Sequence, residues 1–144
     1  MHKHRSTAQA AVGFAKLDDR ECLGLLQSEH LGRLGLTAGA LPVVVPVEYQ
    51  LVDRSIIFAT EAGTKLNGAR KHAVACLEID GTEPTTGAGW TVLATGRLRE
   101  LPDATSAVPD HALALLPWGL PVAEHYVALE IELLGGSTSG VKHP

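Results

Sequence analysis

A strict alternation of side chains between residues 43 and 51 constrains the fold more than any other feature of this chain. Within "LPVVVPVEYQLVD", the positions that share one face are Val43, Val45, Val47, Tyr49 and Leu51. Glu48 and Gln50 lie on the other face. A two-residue period of this kind is typical of a β-strand with one buried face. Pro46 cannot donate a backbone hydrogen bond, so we expect a sheet edge, a bulge, or a neighbour other than a strand at this position.

Five other segments of the chain are also predicted to be strands, and most of them show the same two-residue period. They are "RLGLT" (33–37), "IIFAT" (56–60), "AVACLEID" (73–80), "WTVLATGRLREL" (90–101) and "EHYVALEIELL" (124–134). In the last of them, the predicted inner face consists of Val127, Leu129, Ile131 and Leu133, and the outer face of Glu130 and Glu132. Six short strands joined mostly by tight turns predict a mainly β fold with an antiparallel sheet, closed into a barrel or folded into a sandwich.

The segment "LDDRECLGLLQSEHLG" predicts a helix that begins just after Asp18. The side chain of Asp18 can cap this helix, and Glu21 follows three residues later, which is the spacing of a capping box. Gly32 is the expected end of the helix. Two further short helices are predicted at residues 63–71 and 109–116.

The length and charge of the chain indicate one globular domain. The chain has 144 residues, of which 45% are hydrophobic, and a formal net charge of -4. Residues 16–135 carry the apolar periodicity and are expected to form the domain. Residues 1–15 and 136–144 lack it, and we expect a flexible arm and a flexible tail there. An acidic chain has no excess of cations for a phosphate backbone, so no nucleic-acid partner is expected.

The sequence predicts a cytoplasmic protein without a metal site. The N-terminus lacks the sustained apolar stretch of a signal peptide, and no segment reaches the roughly 20 apolar residues of a membrane span. Cys22 and Cys76 are the only cysteines, and their separation matches no metal-binding or redox motif. We expect both to be reduced thiols in or near the core.

The stretch "FATEAGTKLNGAR", residues 58–70, combines a strand end, a glycine, a hydroxyl and a lysine just where a helix is predicted to begin. Gly63 allows close approach of a ligand to the backbone, Thr64 offers a hydroxyl group, and Lys65 supplies positive charge. A lysine in the first turn of a helix is disfavoured by the helix dipole unless an anion lies nearby. The stretch therefore predicts an anion site, and a solvated polar turn is the alternative.

The order of these pieces resembles the pyridoxamine 5'-phosphate oxidase-like flavin-binding split barrels, which include small flavin and deazaflavin reductases and nitroimidazole-resistance-type proteins. The resemblance rests on "GRLGL" (32–36), "LPVVVPVEYQL" (41–51), "IIFATEAGTKLNGAR" (56–70), "VACLEID" (74–80) and "GAGWTVLATGRLREL" (87–101). It implies a six-stranded antiparallel split β-barrel, a homodimer, and FMN or a similar flavin in a cleft between the two subunits.

The resemblance also assigns roles to individual residues. Thr64 and Lys65 match positions that hold the cofactor phosphate, and Arg70 matches a basic position on the same helix. The remaining matches lie beside or over the flavin ring, and they are Val45, Pro46, Val47, Thr60 and Trp90. The chain departs from the family pattern in two places. Lys71-His72 stands where many members have Asn-Pro, and no arginine follows the last strand.

The function implied by the resemblance is an oxidoreductase that uses FMN to transfer hydride or electrons to a small-molecule acceptor. Two alternatives are a reductase that uses the deazaflavin F420 and a non-catalytic module that binds flavin or haem. The histidines are scattered, and no catalytic acid, base or nucleophile stands out. That is expected if a bound flavin carries the redox chemistry.

Overall fold

The computed structural model describes residues 14–102 and 125–139, which form seven β-strands and two short helices. In chain order the elements are β1 (Phe14–Leu17), α1 (Asp19–Ser28), β2 (Leu31–Ala38), β3 (Leu41–Val52), β4 (Ser55–Thr60), α2 (Thr64–Arg70), β5 (Val74–Thr82), β6 (Gly89–Leu101) and β7 (His125–Ser139). Every strand pairing is antiparallel. The predicted mainly β, antiparallel fold is confirmed.

Six of these strands close into a barrel. The order β7-β4-β3-β2-β5-β6 returns to its start because β6 also pairs with β7 along nearly the whole length of both strands. β1 is a seventh strand, which pairs with the end of β7 from Gly136 to Ser139. The closed barrel has few free edges, which limits pairing with other chains.

The core follows directly from the alternation along the strands. Tyr49, Phe58, Leu77 and Leu98 come from four different strands, and all are at most 1% exposed. Their neighbours two residues away along each strand point the same way and are mostly buried as well. Burial of such side chains contributes about 1.5–3 kcal/mol each, so this interior stabilises the barrel.

Helix α1 closes one end of the barrel. Its N-terminus has the predicted capping box, since Asp18 Oδ1 accepts from the Glu21 amide at 2.8 Å and Glu21 Oε1 accepts from the Asp18 amide at 2.9 Å. Leu26 is fully buried, and its carbonyl accepts a hydrogen bond from the Tyr49 hydroxyl at 2.8 Å. The predicted end at Gly32 is wrong, because the helix stops at Ser28 and Gly32 lies within β2.

Helix α2 closes the opposite end. Its apolar side chains, Leu66 and Ala69, are buried against the barrel. Gly68 lies so close to the wall that a Cβ there would come within 3.3 Å of Leu98 Cδ1. The predicted helix at 63–71 is therefore confirmed, whereas the one predicted at 109–116 lies outside the described residues.

A bulge in β7 reverses the direction of the side chains that follow it. Ile131 pairs with Gly96 and Leu133 with Thr95, so Glu132 is an extra residue on the β7 side. After this extra residue Leu134 packs against the core, while Leu133 is 70% exposed. The prediction that Leu133 faces inward is therefore wrong, because strict alternation does not hold across a bulge.

The sheet extends slightly beyond the predicted domain boundaries of 16 and 135. Strand β1 begins at Phe14, and β7 continues through the glycines and hydroxyl residues up to Ser139. Phe14 pairs directly with Ser139. Strand β1 and the end of β7 thus support each other, and the end of β7 also pairs with β6. Within the described ranges, no helix is long and apolar enough to cross a membrane.

Candidate functional site at the unpaired edge of strand β3

Strand β3 has one long backbone edge without a partner strand. It pairs with β2 from Leu41 to Glu48, but with β4 only from Tyr49 to Val52. On the β4 side, the backbone from residue 41 to 48 therefore has no ladder partner among the described residues. Pro46 lies in this stretch, so its predicted position at a sheet edge is confirmed. The backbone groups of such an edge are available to a ligand.

The chain that leaves β4 borders this same edge. The last β3–β4 pair is Tyr49 with Phe58, and two more residues in that register would place Val47 opposite Thr60. Both residues are buried, with Thr60 only 7% exposed. The Thr60 hydroxyl donates to the Glu61 carbonyl at 3.0 Å. Continued in this register, Val45, Pro46 and Val47 would lie alongside the chain that leaves β4 toward α2.

Gly63, Thr64 and Lys65 form the turn into α2. Gly63 has a φ of 150°, which side-chain-bearing residues rarely adopt, and a Cβ there would meet nothing within 4 Å. The backbone conformation, not crowding, therefore requires glycine here. Thr64 is exposed and Lys65 is half-buried. Within the described part of the chain, Lys65 makes no ion pair and the Thr64 hydroxyl makes no side-chain hydrogen bond, so both are available to a ligand.

Arg70 does not point toward the same place as Lys65. Five residues of α-helix turn by about 140° beyond one full revolution, so the two side chains leave α2 in different directions. Arg70 Nε donates to Glu100 Oε1 at 2.9 Å, and its Nη2 donates to Glu100 Oε2 at 3.4 Å. His125 Nδ1 lies 3.3 Å from the second of these oxygens.

The ion pair changes the titration of both partners. Its hydrogen bond holds the pKa of Glu100 below the usual range, with a smaller contribution from His125. The same bond raises the pKa of Arg70. Sequence reasoning missed Glu100 and His125, since they are 30 and 55 positions from Arg70 and no local pattern connects them.

Trp90 lies at the opposite end of the barrel from Lys65. It is eight residues from Leu98, the β6 residue that contacts α2, and eight residues of strand span about 26 Å. Its indole lies across Gly81 on β5, where a Cβ would come within 2.7 Å of the ring. In a single chain, the structure does not bring Trp90 together with the other predicted cofactor residues.

The outer face of the sheet carries an apolar groove, which we call the outer groove. A register row across five strands runs through Val44, Gly35, Cys76, Thr95 and Leu133. Val74 and Leu93 lie beside this row on the same face, and two adjoining cavities of about 380 and 550 Å³ lie along it. The side chains of Val44, Val74, Leu93 and Leu133 are all exposed. Val52, on the same strand as Val44, packs instead with a different cluster.

Residues 18–137 match the family described as pyridoxamine 5'-phosphate oxidase. This match spans most of the chain, including every element that borders the site. The chain belongs to the pyridoxamine 5'-phosphate oxidase family. The predicted resemblance is therefore confirmed at the level of family and fold.

The chain is also similar to individual known proteins. The uncharacterized protein Rv0080 of Mycobacterium tuberculosis is 31% identical over 137 residues, which cover 92% of this chain and 90% of that protein. The structure of an FAD-binding protein from Mesorhizobium loti has a TM-score of 0.75 at 25% identity, covering 88% of this chain and 99% of that one. An FAD-binding protein from Mycobacterium smegmatis gives 0.64 at 25% identity, covering 88% and 98%.

Proposed function

We propose that this protein binds a phosphorylated flavin along the unpaired edge of β3 and uses it as an oxidoreductase. The observation that carries the proposal is an unpaired edge of β3 next to the strand that leads, within five residues, to a half-buried Lys65 without an ion-pair partner among the described residues, in a member of the pyridoxamine 5'-phosphate oxidase family. The two FAD-binding structural relatives support a flavin as the ligand.

The residues at the site suit the two chemically different parts of a flavin nucleotide. The heterocyclic ring has a polar edge of donors and acceptors. The backbone groups of Val44 and Glu48 and the carbonyl of Pro46 can match it, because they point away from β2. The phosphate is an anion, which the Lys65 ammonium and the Thr64 hydroxyl can hold. Gly63 leaves open space beside them, since no atom lies within 4 Å of where its Cβ would be.

A bound flavin would supply the redox chemistry, passing hydride or electrons to a small-molecule acceptor. The chain's own contribution is to bind and orient the ring along β3 and to neutralise the phosphate through Lys65. Thr60, buried at the end of β4, lies where the strand edge and the phosphate side meet. No acid or base of the chain is required for these roles.

We further propose that the working unit is a homodimer formed through the outer groove. Its centre is apolar, and ion pairs lie at both ends, Arg33 with Glu78 at 2.6 Å and Arg99 with Glu130 at 2.8 Å. An apolar centre with a polar rim is the usual anatomy of a protein interface. In such a dimer, Trp90 of one subunit could contact the flavin ring that is bound to the other subunit.

Cofactor titration tests the proposal. Purified protein stripped of ligand is titrated with riboflavin, FMN, FAD and F420, and binding is followed by cofactor fluorescence. We expect FMN or FAD to bind more tightly than riboflavin, because riboflavin lacks the phosphate. Preferred binding of F420 would favour a deazaflavin-dependent reductase, and failure of all four to bind would overturn the proposal.

Lys65→Ala tests the assignment of the phosphate side. A charge-assisted hydrogen bond contributes about 1.5–3 kcal/mol, and about 1.4 kcal/mol corresponds to a tenfold change in affinity. We therefore expect FMN binding to weaken by about one to two orders of magnitude, while riboflavin binding changes little. Lys71→Ala is the matched control, because Lys71 directly follows the same helix but lies away from the turn. Equal effects of the two substitutions would contradict the assignment.

A further inference from the structure

Arg70, Glu100 and His125 form a polar cluster at the end of the barrel that α2 closes. They come from the last turn of α2, the end of β6 and the start of β7. The guanidinium makes two hydrogen bonds to the carboxylate of Glu100, and the imidazole contacts the same carboxylate. His125 is also the register partner of Thr60 on β4. Four separate elements thus meet at this cluster.

The cluster is the polar link between α2 and the barrel. Among the described residues, the only side-chain hydrogen bonds that α2 makes to a strand are those from Arg70 to Glu100. The buried residues of α2, Leu66, Gly68 and Ala69, pack against the barrel through non-directional van der Waals contacts. A helix of seven residues is marginal by itself, so its position depends on tertiary contacts.

The position of α2 decides where Lys65 points. Lys65 is in the first turn and Arg70 is in the last, so a rotation of the helix on its apolar face would displace the ammonium group. A pair of hydrogen bonds between a planar guanidinium and a carboxylate restricts both distance and direction. Because Glu100 occupies it, the guanidinium is also directed away from the turn at Gly63.

We propose that Arg70 and Glu100 are positioning residues that fix α2, and with it Lys65, for phosphate binding, and that Arg70 does not itself bind the phosphate. This proposal rests on the proposed flavin function. It reverses the role that the family resemblance gives to Arg70. Glu100, a carboxylate that an anionic ligand would repel at close range, thereby supports binding of an anion.

Glu100→Gln separates the two roles of Arg70 by the sign of its effect. If the pair positions the helix, removing the carboxylate charge weakens FMN binding about two- to fivefold, as expected for a half-exposed ion pair. Arg70→Ala then has a similar effect, and the double variant is no worse than either single one. If Arg70 instead contacts the phosphate, Glu100→Gln releases it and removes a negative charge. FMN binding then becomes tighter, which would overturn the proposal.

Hydrogen exchange of the α2 amides gives a second readout that needs no flavin. In the apo protein, both Glu100→Gln and Arg70→Ala should speed exchange at residues 64–70 relative to the barrel strands. Asp19→Asn is the matched control, since it removes an equal charge from an ion pair with Arg54 at 2.9 Å, at the other end of the barrel. It should change neither FMN binding nor α2 exchange.

The two measurements together can overturn the positioning role of Arg70 and Glu100. Unchanged α2 exchange in both variants, or unchanged FMN affinity, would show that the pair does not position the helix. If the wild type bound no flavin, the proposed function would fail. The exchange rates in the apo protein would then still decide whether the pair holds α2.

Discussion

Two glycines of this protein differ sharply in the space that surrounds their Cβ positions. A Cβ on Gly96 would collide with the carbonyl of Glu130 on the neighbouring strand, beside the bulge in β7. Gly24, in helix α1, has nothing within 4 Å of its Cβ position. The sequence shows both only as glycines inside predicted elements. Their different roles depend on whether the backbone of another strand lies next to the glycine. The local sequence does not show this.

Gly96→Ala should destabilise the protein by at least about 2 kcal/mol, because backbone cannot move aside as a flexible side chain can. Gly24→Ala should instead stabilise it by about 0.5–1 kcal/mol, since alanine is the better helix former and the site is open. Urea denaturation of both variants beside the wild type measures the two changes. The same sign of change in both variants would contradict this account of the barrel wall.

At the scale of elements, the sequence predicted what depends on local pattern and missed what depends on distant contacts. The strands follow from alternation, and the capping box of α1 follows from the spacing of Asp18 and Glu21. The reversal at Leu133 follows from an extra residue that only the pairing with β6 reveals. β1 was missed for a similar reason, because among the described strands it pairs with the glycine- and hydroxyl-rich end of β7 alone.

One buried hydrogen bond contributes to the docking of α1. Tyr49→Phe removes the hydroxyl that donates to the Leu26 carbonyl and leaves that acceptor without its protein partner. An unsatisfied buried acceptor costs about 1–3 kcal/mol, so we expect a loss of stability in that range. Denaturation followed by fluorescence or circular dichroism measures it. Full retention of stability would mean that the bond contributes nothing to docking.

Acid should weaken the Arg70–Glu100 ion pair that positions α2. Because the folded pKa of Glu100 is lowered, its contribution to stability is present above its unfolded pKa of about 4.3 and is lost as the pH falls through the folded value. The melting temperatures of wild type and Glu100→Gln should therefore differ at pH 7 and converge toward pH 3. A difference that stays constant over this range would argue against a charged Glu100 in the native state.

At the scale of the whole molecule, the sequence predicted the family and the fold, but only part of the candidate site. The stretch around Lys65 is contiguous in the chain, so its residues could be grouped before the fold was known. Arg70 is occupied by a distant carboxylate, and Trp90 lies at the far end of the barrel. The partner of Arg70 and the location of Trp90 both depend on how the strands are arranged in the barrel, and a short sequence motif carries no information about that arrangement.

The proposed dimer leads to a prediction at this same scale. Leu133→Glu places a charge in the centre of the outer groove, where burying it against a second copy is unfavourable. The variant should be monomeric at micromolar concentrations in analytical ultracentrifugation, whereas the wild type should be dimeric. Leu41→Glu is the matched control, because Leu41 is equally exposed at 70% but lies at the tip of the β2–β3 hairpin. A monomeric wild type, or dissociation by both variants, would contradict this location of the interface.

The pairing of β1 with the end of β7 has a consequence for rearranging the chain. Phe14 and Ser139 are opposite each other across one ladder, and paired residues in antiparallel strands lie only about 5 Å apart. A short glycine linker could therefore join these two positions, and new ends could be opened at the Asp53-Arg54 turn between β3 and β4. Such a circular permutant would keep every strand neighbour, although the order of the strands along the polypeptide would change.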